Sequence, residues 1–350
     1  MTTAATSGSP AGSGRMRSAL TLVGASLLAV LGYFAVLALI LPGGAPVAAQ
    51  QVANALTLGA IYALVALGYT MVYGIIELIN FAHGDVFMVG AFVALYFLAG
   101  PMGQSGSAVT NPLLLGGLLL ATFVVAMTVM AIVNVTIERF AYRPLRHAPR
   151  LAPLITAIGV SLILQNIMQI LVGTGDRKVP QIFPNVHFDL IGASIGYLNL
   201  FILVASLILM SGLQLFVSRT RLGRAMRATA QDQQAAQLMG VDLNTTIAMT
   251  FLIGGALAGA AGVFHSQYFG FVRFDLGFNA GLKAFTAAVL GGIGNLTGAA
   301  IGGFIIAFIE VFAGANGQQR WSQAIVFVVL IVVLVFRPAG ILGQQLGERA

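Results

Sequence analysis

"QVANALTLGAIYALVALGYTMVYGII", residues 51–76, runs for 26 residues without one charged side chain. Wound as an α-helix it reaches about 39 Å, more than the roughly 30 Å hydrocarbon core of a bilayer. A membrane β-barrel would instead show short segments of alternating polarity, and these are absent. The stretch decides the fold class: all-α, a polytopic bundle of transmembrane helices. Composition agrees, with 58% hydrophobic and only 8% charged residues, about a third of the charge of a soluble protein. The short polar segments leave no room for a sizeable soluble domain. Abundant glycine, 43 residues, suits helices that pack closely through small side chains.

Upstream, residues 1–17 read as a disordered N-terminal tail rich in Ser, Thr, Gly and Ala. A first apolar run, Ser18–Leu41, follows Arg15 and Arg17. It exceeds the 7–15 residues of a signal-peptide core, so an uncleaved span is the expectation, with cleavage near Ala49 as the alternative. Downstream the spans are Val86–Ala99, Leu113–Ile137, Leu151–Val172, Leu198–Val217 and Thr245–Phe269. "LKAFTAAVLGGIG" (282–294) is short and ends in glycines, as a broken helix would. Apolar runs at 296–314 and 321–336 complete a transmembrane domain of residues 18–336, with a C-terminal tail at 337–350. Ten spans result, with eight or nine as alternatives.

The net charge of +7 does not indicate nucleic acid. The arginines cluster between spans, at Arg139, Arg143, Arg146 and Arg150, and at Arg219, Arg221, Arg224 and Arg227. Basic loops stay in the cytoplasm. With ten crossings both termini lie inside, and the block from the second to the fifth span runs opposite to the block from the seventh to the tenth. That is the topology of transporters built from inverted repeats. Arg221, Arg224 and Arg227 share one helical face, suited to anionic lipid headgroups.

Polar residues inside such a chain are the candidates for function. Glu77, Asn80, His83 and Asp85 lie at the end of the second span and the start of the third. His83 and Asp85 read as parts of an interfacial turn, with Asn80 and Asp85 capping helix ends and Gly84 allowing the bend. For Glu77 and Asn80 a pathway-lining role stands beside the structural one. Gln165, Asn166 and Gln169 lie within the fifth span, Gln165 and Gln169 on one face. Amides can bind a zwitterion without the cost of a buried charge, and they can equally bond helix to helix. Asn54, Thr57 and Tyr62 are similar candidates. Lys283 reads as interfacial, and Glu310 lies deeper with no evident partner. "GALAG" (255–259) and "GAAIG" (298–302) read as packing pairs.

The segment "NALTLGAIYALVALGYTMVYGIIELINFAHGDVFMVGAF" (54–92) resembles the signature of branched-chain amino acid permeases of ABC importers, the LivH type. "LITAIGVSLILQNIMQILVG" (154–173), "LKAFTAAVLGGIGNLTGAAIGG" (282–303) and "FRPAGILG" (336–343) are similar to the same family. Within the cytoplasmic segment 219–244, "QAAQLMG" (234–240) is similar to the EAA-x-x-x-G loop of these permeases, with Gln234 in place of the usual Glu. The resemblance implies that a short helix carrying Asp232, Gln234, Ala235, Ala236, Leu238, Met239 and Gly240 docks on an ATPase subunit. On the residues themselves, Asp232 suits an N-cap and Gly240 a left-handed C-terminal position.

No Gly-x-x-x-x-Gly-Lys-Ser/Thr cradle occurs in the sequence, so ATP is expected on partner subunits and the chain itself is expected to need no cofactor. The family implies a second permease subunit, two ATP-binding subunits and an extracytoplasmic substrate-binding protein, in the cytoplasmic membrane. Branched-chain amino acids are the implied substrate, with urea or short amides as alternatives within the family. Rival readings are an ion-coupled secondary transporter using Glu77, Asp85 and Glu310, and a membrane enzyme. The enzyme reading is opposed by the lack of cysteine and of an H-E-x-x-H helix.

Overall fold

The computed structural model describes residues 44–343 apart from 107, 147, 150, 191 and 192, with 32, 33, 35, 36 and 39 ahead of them. The expected N-terminal tail, most of the first span, Arg150 and residues 344–350 lie outside the described residues.

Helices α1 (Gly44–Ile76), α2 (Ala82–Ala99), α3 (Pro112–Ile137) and α4 (Leu151–Val172) come first. The strands β1 (Arg177–Lys178), β2 (His187–Leu190) and β3 (Ala193–Gly196) lead into α5 (Tyr197–Arg219). Two short helices follow, α6 (Arg221–Gln231) and α7 (Gln233–Leu238), then α8 (Leu243–Phe269) and β4 (Phe271–Val272). The chain continues through α9 (Leu276–Gly291), α10 (Leu296–Ala315) and α11 (Ser322–Phe336). Among the described residues, eight helical segments are long and apolar enough to cross a membrane. With 16 residues, α9 reaches only about 24 Å, short of a full crossing.

Local chemistry sets the helix ends. α3 opens at Asn111, whose Oδ1 accepts from the Leu113 N–H at 3.0 Å, with Pro112 at the first helical position. α1 ends at Glu77, which has φ +53° while its N–H still bonds the Tyr73 carbonyl at 2.8 Å. Asn80 and Asp85 do not cap α2. The N-cap position belongs to Phe81, without a side-chain bond.

In a bilayer the apolar effect does not press one helix on another, so close packing must. α1 lies at the centre, touching α8, α9 and α10. Of its most apolar stretch 94% is buried within the chain, against 22% for α4 and for α5. Glycine makes the contacts. A Cβ at Gly259 would stand 2.6 Å from the Ala126 carbonyl oxygen of α3, and Gly298 and Gly302 seat α10 on α9 in the same way. Gly84 also serves contact rather than a bend. A Cβ there would meet Gly281 Cα of α9 at 2.7 Å.

Two small sheets sit on the connecting segments. β1 pairs antiparallel with β4, matching Arg177 with Val272, and β2 pairs with β3. At the opposite end of the bundle, the Gln233 side chain donates to the Ile75 carbonyl at 2.8 Å and Arg146 donates to Asn244 Oδ1 at 2.7 Å. There too the closing segment folds back on the α9–α10 turn. Ile341 and Leu342 N–H groups bond the Leu290 and Gly291 carbonyls, and the Asn295 side chain donates to the Leu342 carbonyl at 2.8 Å.

Candidate functional site

The first candidate is α7. Asp232 Oδ1 accepts from the N–H groups of Gln234 and Ala235 at 2.8 and 2.9 Å, closing the N-terminus. At the other end Gly240 adopts φ +84°. The Gly240 N–H bonds Gln237 O and the Val241 N–H bonds Ala236 O, the paired bonds of a Schellman ending. A helix of six residues is held by these caps, because so short a helix has little stability of its own. Ala236 is buried against the chain, whereas Leu238 and Met239 are 88% and 86% exposed. Gln234 and Ala235 are exposed as well. The sequence-derived docking residues therefore split: Ala236 seats the helix, and the apolar tip offered outward is Leu238–Met239.

Either side of this tip the basic segment is ordered. In α6, Gly223, Met226 and Thr229 face inward while Arg221, Arg224 and Arg227 face outward. After α7, Asp242 accepts from the Asn244 N–H and the Thr245 hydroxyl, opening α8. The Thr245 bond holds the Asp242 carboxyl below the usual carboxylate range. Beside it, α3 runs on into a π-helical turn at Glu138–Tyr142. Buried Glu138 is paired with Arg146, which also reaches Asn244. The turn is thereby bonded to the start of α8.

The second candidate is the amide face of α4. Asp85 of α2 is fully buried, and its Oδ2 accepts from the Ser161 hydroxyl at 2.5 Å. Gln165 donates to the same hydroxyl at 3.2 Å. This chain of bonds ties α4, otherwise loosely held, to α2. Gln165 and Gln169 are half-buried, and Asn166 is exposed, with its amide donating to the Leu162 carbonyl at 2.7 Å. His83 is fully buried beside Tyr69, with ring centroids 4.9 Å apart. Asn80 is buried and accepts from the Tyr142 hydroxyl at 2.9 Å. Glu77 stays exposed at the end of α1. His83 and Asp85 thus lie buried in the first turn of α2, not in the connecting turn before it.

The third candidate joins three helices. Lys283 of α9 donates to Glu310 Oε1 of α10 at 2.6 Å, and the Tyr62 hydroxyl of α1 donates to Glu310 Oε2 at 2.9 Å. Lys283 also lies 3.4 Å from the Tyr62 oxygen. Glu310 therefore has its cation, and Lys283 is paired. Asn54 and Thr57 stand apart on α1, bonded within their own helix to Gln50 and to the Ala53 carbonyl. Sequence reasoning passed over Ser161, Tyr142 and Glu138. The weak signal for Glu138 was an acid beside an arginine cluster at a span end.

The sequence model of a family described as branched-chain amino acid transport system / permease component matches residues 51–334. The chain is 44% identical over 284 residues to the high-affinity branched-chain amino acid transport system permease protein BraD of Pseudomonas aeruginosa. That alignment covers 80% of this chain and 91% of BraD. The corresponding protein LivH of Escherichia coli is 42% identical over 285 residues, covering 80% of this chain and 90% of LivH. A probable branched-chain amino acid transport permease protein LivH of Methanocaldococcus jannaschii is 29% identical, covering 78% of this chain and 86% of that one. No solved structure matches the chain.

Proposed function

The chain belongs to the branched-chain amino acid transport system permease family, and from that membership we propose that it is the membrane-embedded permease subunit of an ABC importer. Its substrate is a branched-chain amino acid, as the names of BraD and LivH state for those proteins. ATP is hydrolysed on two separate subunits, and an extracytoplasmic binding protein delivers the ligand. Both termini and the basic segments lie in the cytoplasm, as the arginine distribution favours.

The observation that carries the coupling is the capped helix α7 with its exposed Leu238–Met239 tip. An apolar tip on a basic surface is unfavourable in water and suits a groove on another protein. Gln233 ties it to the end of α1, so force on the tip reaches the central helix. The transport path runs along the amide face of α4, between this chain and a second permease subunit. α4 is the helix that combines low burial with Gln165, Asn166 and Gln169. Amides in such a place are costly against hydrocarbon and suit a wet path. The blocks α1–α4 and α8–α11, of opposite sense, rock against each other to open that path to either side.

An ion relay through Glu77, Asp85 and Glu310 is not favoured. Glu310 is held by Lys283 and Tyr62, and Asp85 by Ser161. The test is uptake by the reconstituted complex with its ATPases and binding protein. Leucine uptake that needs ATP and survives a protonophore supports the reading. Uptake that survives loss of the ATPases and collapses with the protonophore overturns it. Uptake of urea with none of leucine overturns the substrate alone.

A further inference from the structure

A cavity of about 10 Å³ lies where the end of α1 and the connecting segment 77–81 meet α9, and Tyr69, Thr70, Tyr73, Asn80, Phe285 and Ala288 contribute to its lining. A single water needs about 10–15 Å³ of such space, whereas sites for organic ligands run to roughly 300–1,000 Å³. Two of the lining residues carry polar atoms that no protein group satisfies, Thr70 Oγ1 and Asn80 Nδ2. Both residues are only 1% exposed. Thr57, Thr122, Thr250 and Thr286 each donate the hydroxyl to the carbonyl four residues back in their own helix. Thr70, equally inside a helix, does not. The Asn80 amide spends one atom on the Tyr142 hydroxyl. Whichever way the amide is turned, its other atom is left over.

We propose that this cavity is the binding site of one water molecule, held between the Thr70 hydroxyl and the Asn80 amide. Burying a hydroxyl and an amide unpaired is costly, and a water can donate to one and accept from the other. Two polar partners suffice to order a buried water, whereas a wholly apolar cavity stays dry. No acidic or basic side chain lines the cavity among the described residues, so a neutral ligand fits it and an ion has no counter-charge there. Solvent is close at hand, because Glu77 is exposed and Ile79 only half-buried in the adjoining segment. Once bound, the water completes a chain of bonds from Thr70 through Asn80 to Tyr142. That chain ties α1 to the π-helical turn at Glu138–Tyr142. The site is separate from the α7 tip and makes no use of the transported solute, so it stands whatever that solute is.

The test is a cryo-electron microscopy map of the assembled importer, at a resolution that shows ordered water, with radiolytic hydroxyl labelling in parallel. A density peak is expected within hydrogen-bond distance of both Thr70 Oγ1 and the Asn80 side chain. Radicals formed from a bound water mark the side chains beside it. Tyr69, which lines the cavity and is 4% exposed, should therefore be modified faster than the buried Phe87 and Phe264, which do not line it. Thr70→Val keeps the shape and removes the hydroxyl. It should lower Tyr69 labelling by about fivefold, the factor for one lost hydrogen bond, and Thr70→Ser should restore it. A map that shows other buried waters and none here overturns the proposal. So does Tyr69 labelling that Thr70→Val leaves unchanged, or a Thr70 hydroxyl found bonded to the Ala66 carbonyl. If Thr70→Val does not assemble, the map of the unaltered importer decides alone.

Discussion

Lys283 Nζ lies 2.6 Å from Glu310 Oε1, joining α9 to α10 with both side chains largely buried. The Tyr62 hydroxyl on the second carboxylate oxygen completes the neutralisation and adds α1 to the junction. A buried ion pair gives little net stability over apolar packing, yet removal of one partner leaves a charge uncompensated.

Lys283→Met should therefore destabilise the complex by about 3–5 kcal/mol, and Lys283→Met with Glu310→Met should recover most of the loss. Thermal unfolding of the purified complex reads both. A double variant no more stable than the single one would mean that the charges do not act as a pair.

At α7, the proposed coupling helix, Leu238→Glu with Met239→Glu should abolish ATP-driven uptake while membrane insertion stays normal. Side chains as exposed as Leu238 and Met239 can change with little effect on the fold. Ala236→Arg should also stop transport, but with loss of the helix's seat, since Ala236 is buried. Protease sensitivity of residues 231–242 separates the two cases: raised for Ala236→Arg, unchanged for the outward pair. Full uptake by the outward double variant would remove the docking assignment.

On α4, Gln165→Leu with Gln169→Leu should slow uptake with the complex still assembled. Ser161→Ala should loosen α4 from α2, because it removes the donor to buried Asp85, at about 1–3 kcal/mol. Initial uptake rates beside size-exclusion profiles check both. Unchanged rates in the glutamine variant would return those amides to a packing role.

Close packing makes its own prediction. Gly259→Leu should prevent α8 from seating on α3, costing about 1–3 kcal/mol or more. Gly116→Leu, where a side chain would meet open space, should be neutral. Expression and thermal stability of the two variants, measured side by side, decide it.

Hydropathy is local. A run such as 51–76 states its environment without help from the rest of the chain, so the spans and the all-α class could be read in order along the sequence. The same holds for α7. Asp232 and Gly240 set its two ends, and the chemistry of a cap reaches only a few residues. The caps expected at Asn80 and Asp85 failed for a non-local reason. Tyr142 takes the Asn80 oxygen and Ser161 takes the Asp85 carboxylate, from helices far along the chain.

The sequence by itself determined which stretches wind into long apolar helices and where the short capped helix lies between them, because water, hydrocarbon and caps act on neighbouring residues. Only the tertiary structure decided who meets whom. Glu310 lies 27 residues from Lys283 and 248 from Tyr62, and no local preference joins them. Helices that hydrocarbon does not press together meet where glycines let them approach. Those contacts assigned Glu310 its cation, buried Ala236 and left Leu238 and Met239 facing outward.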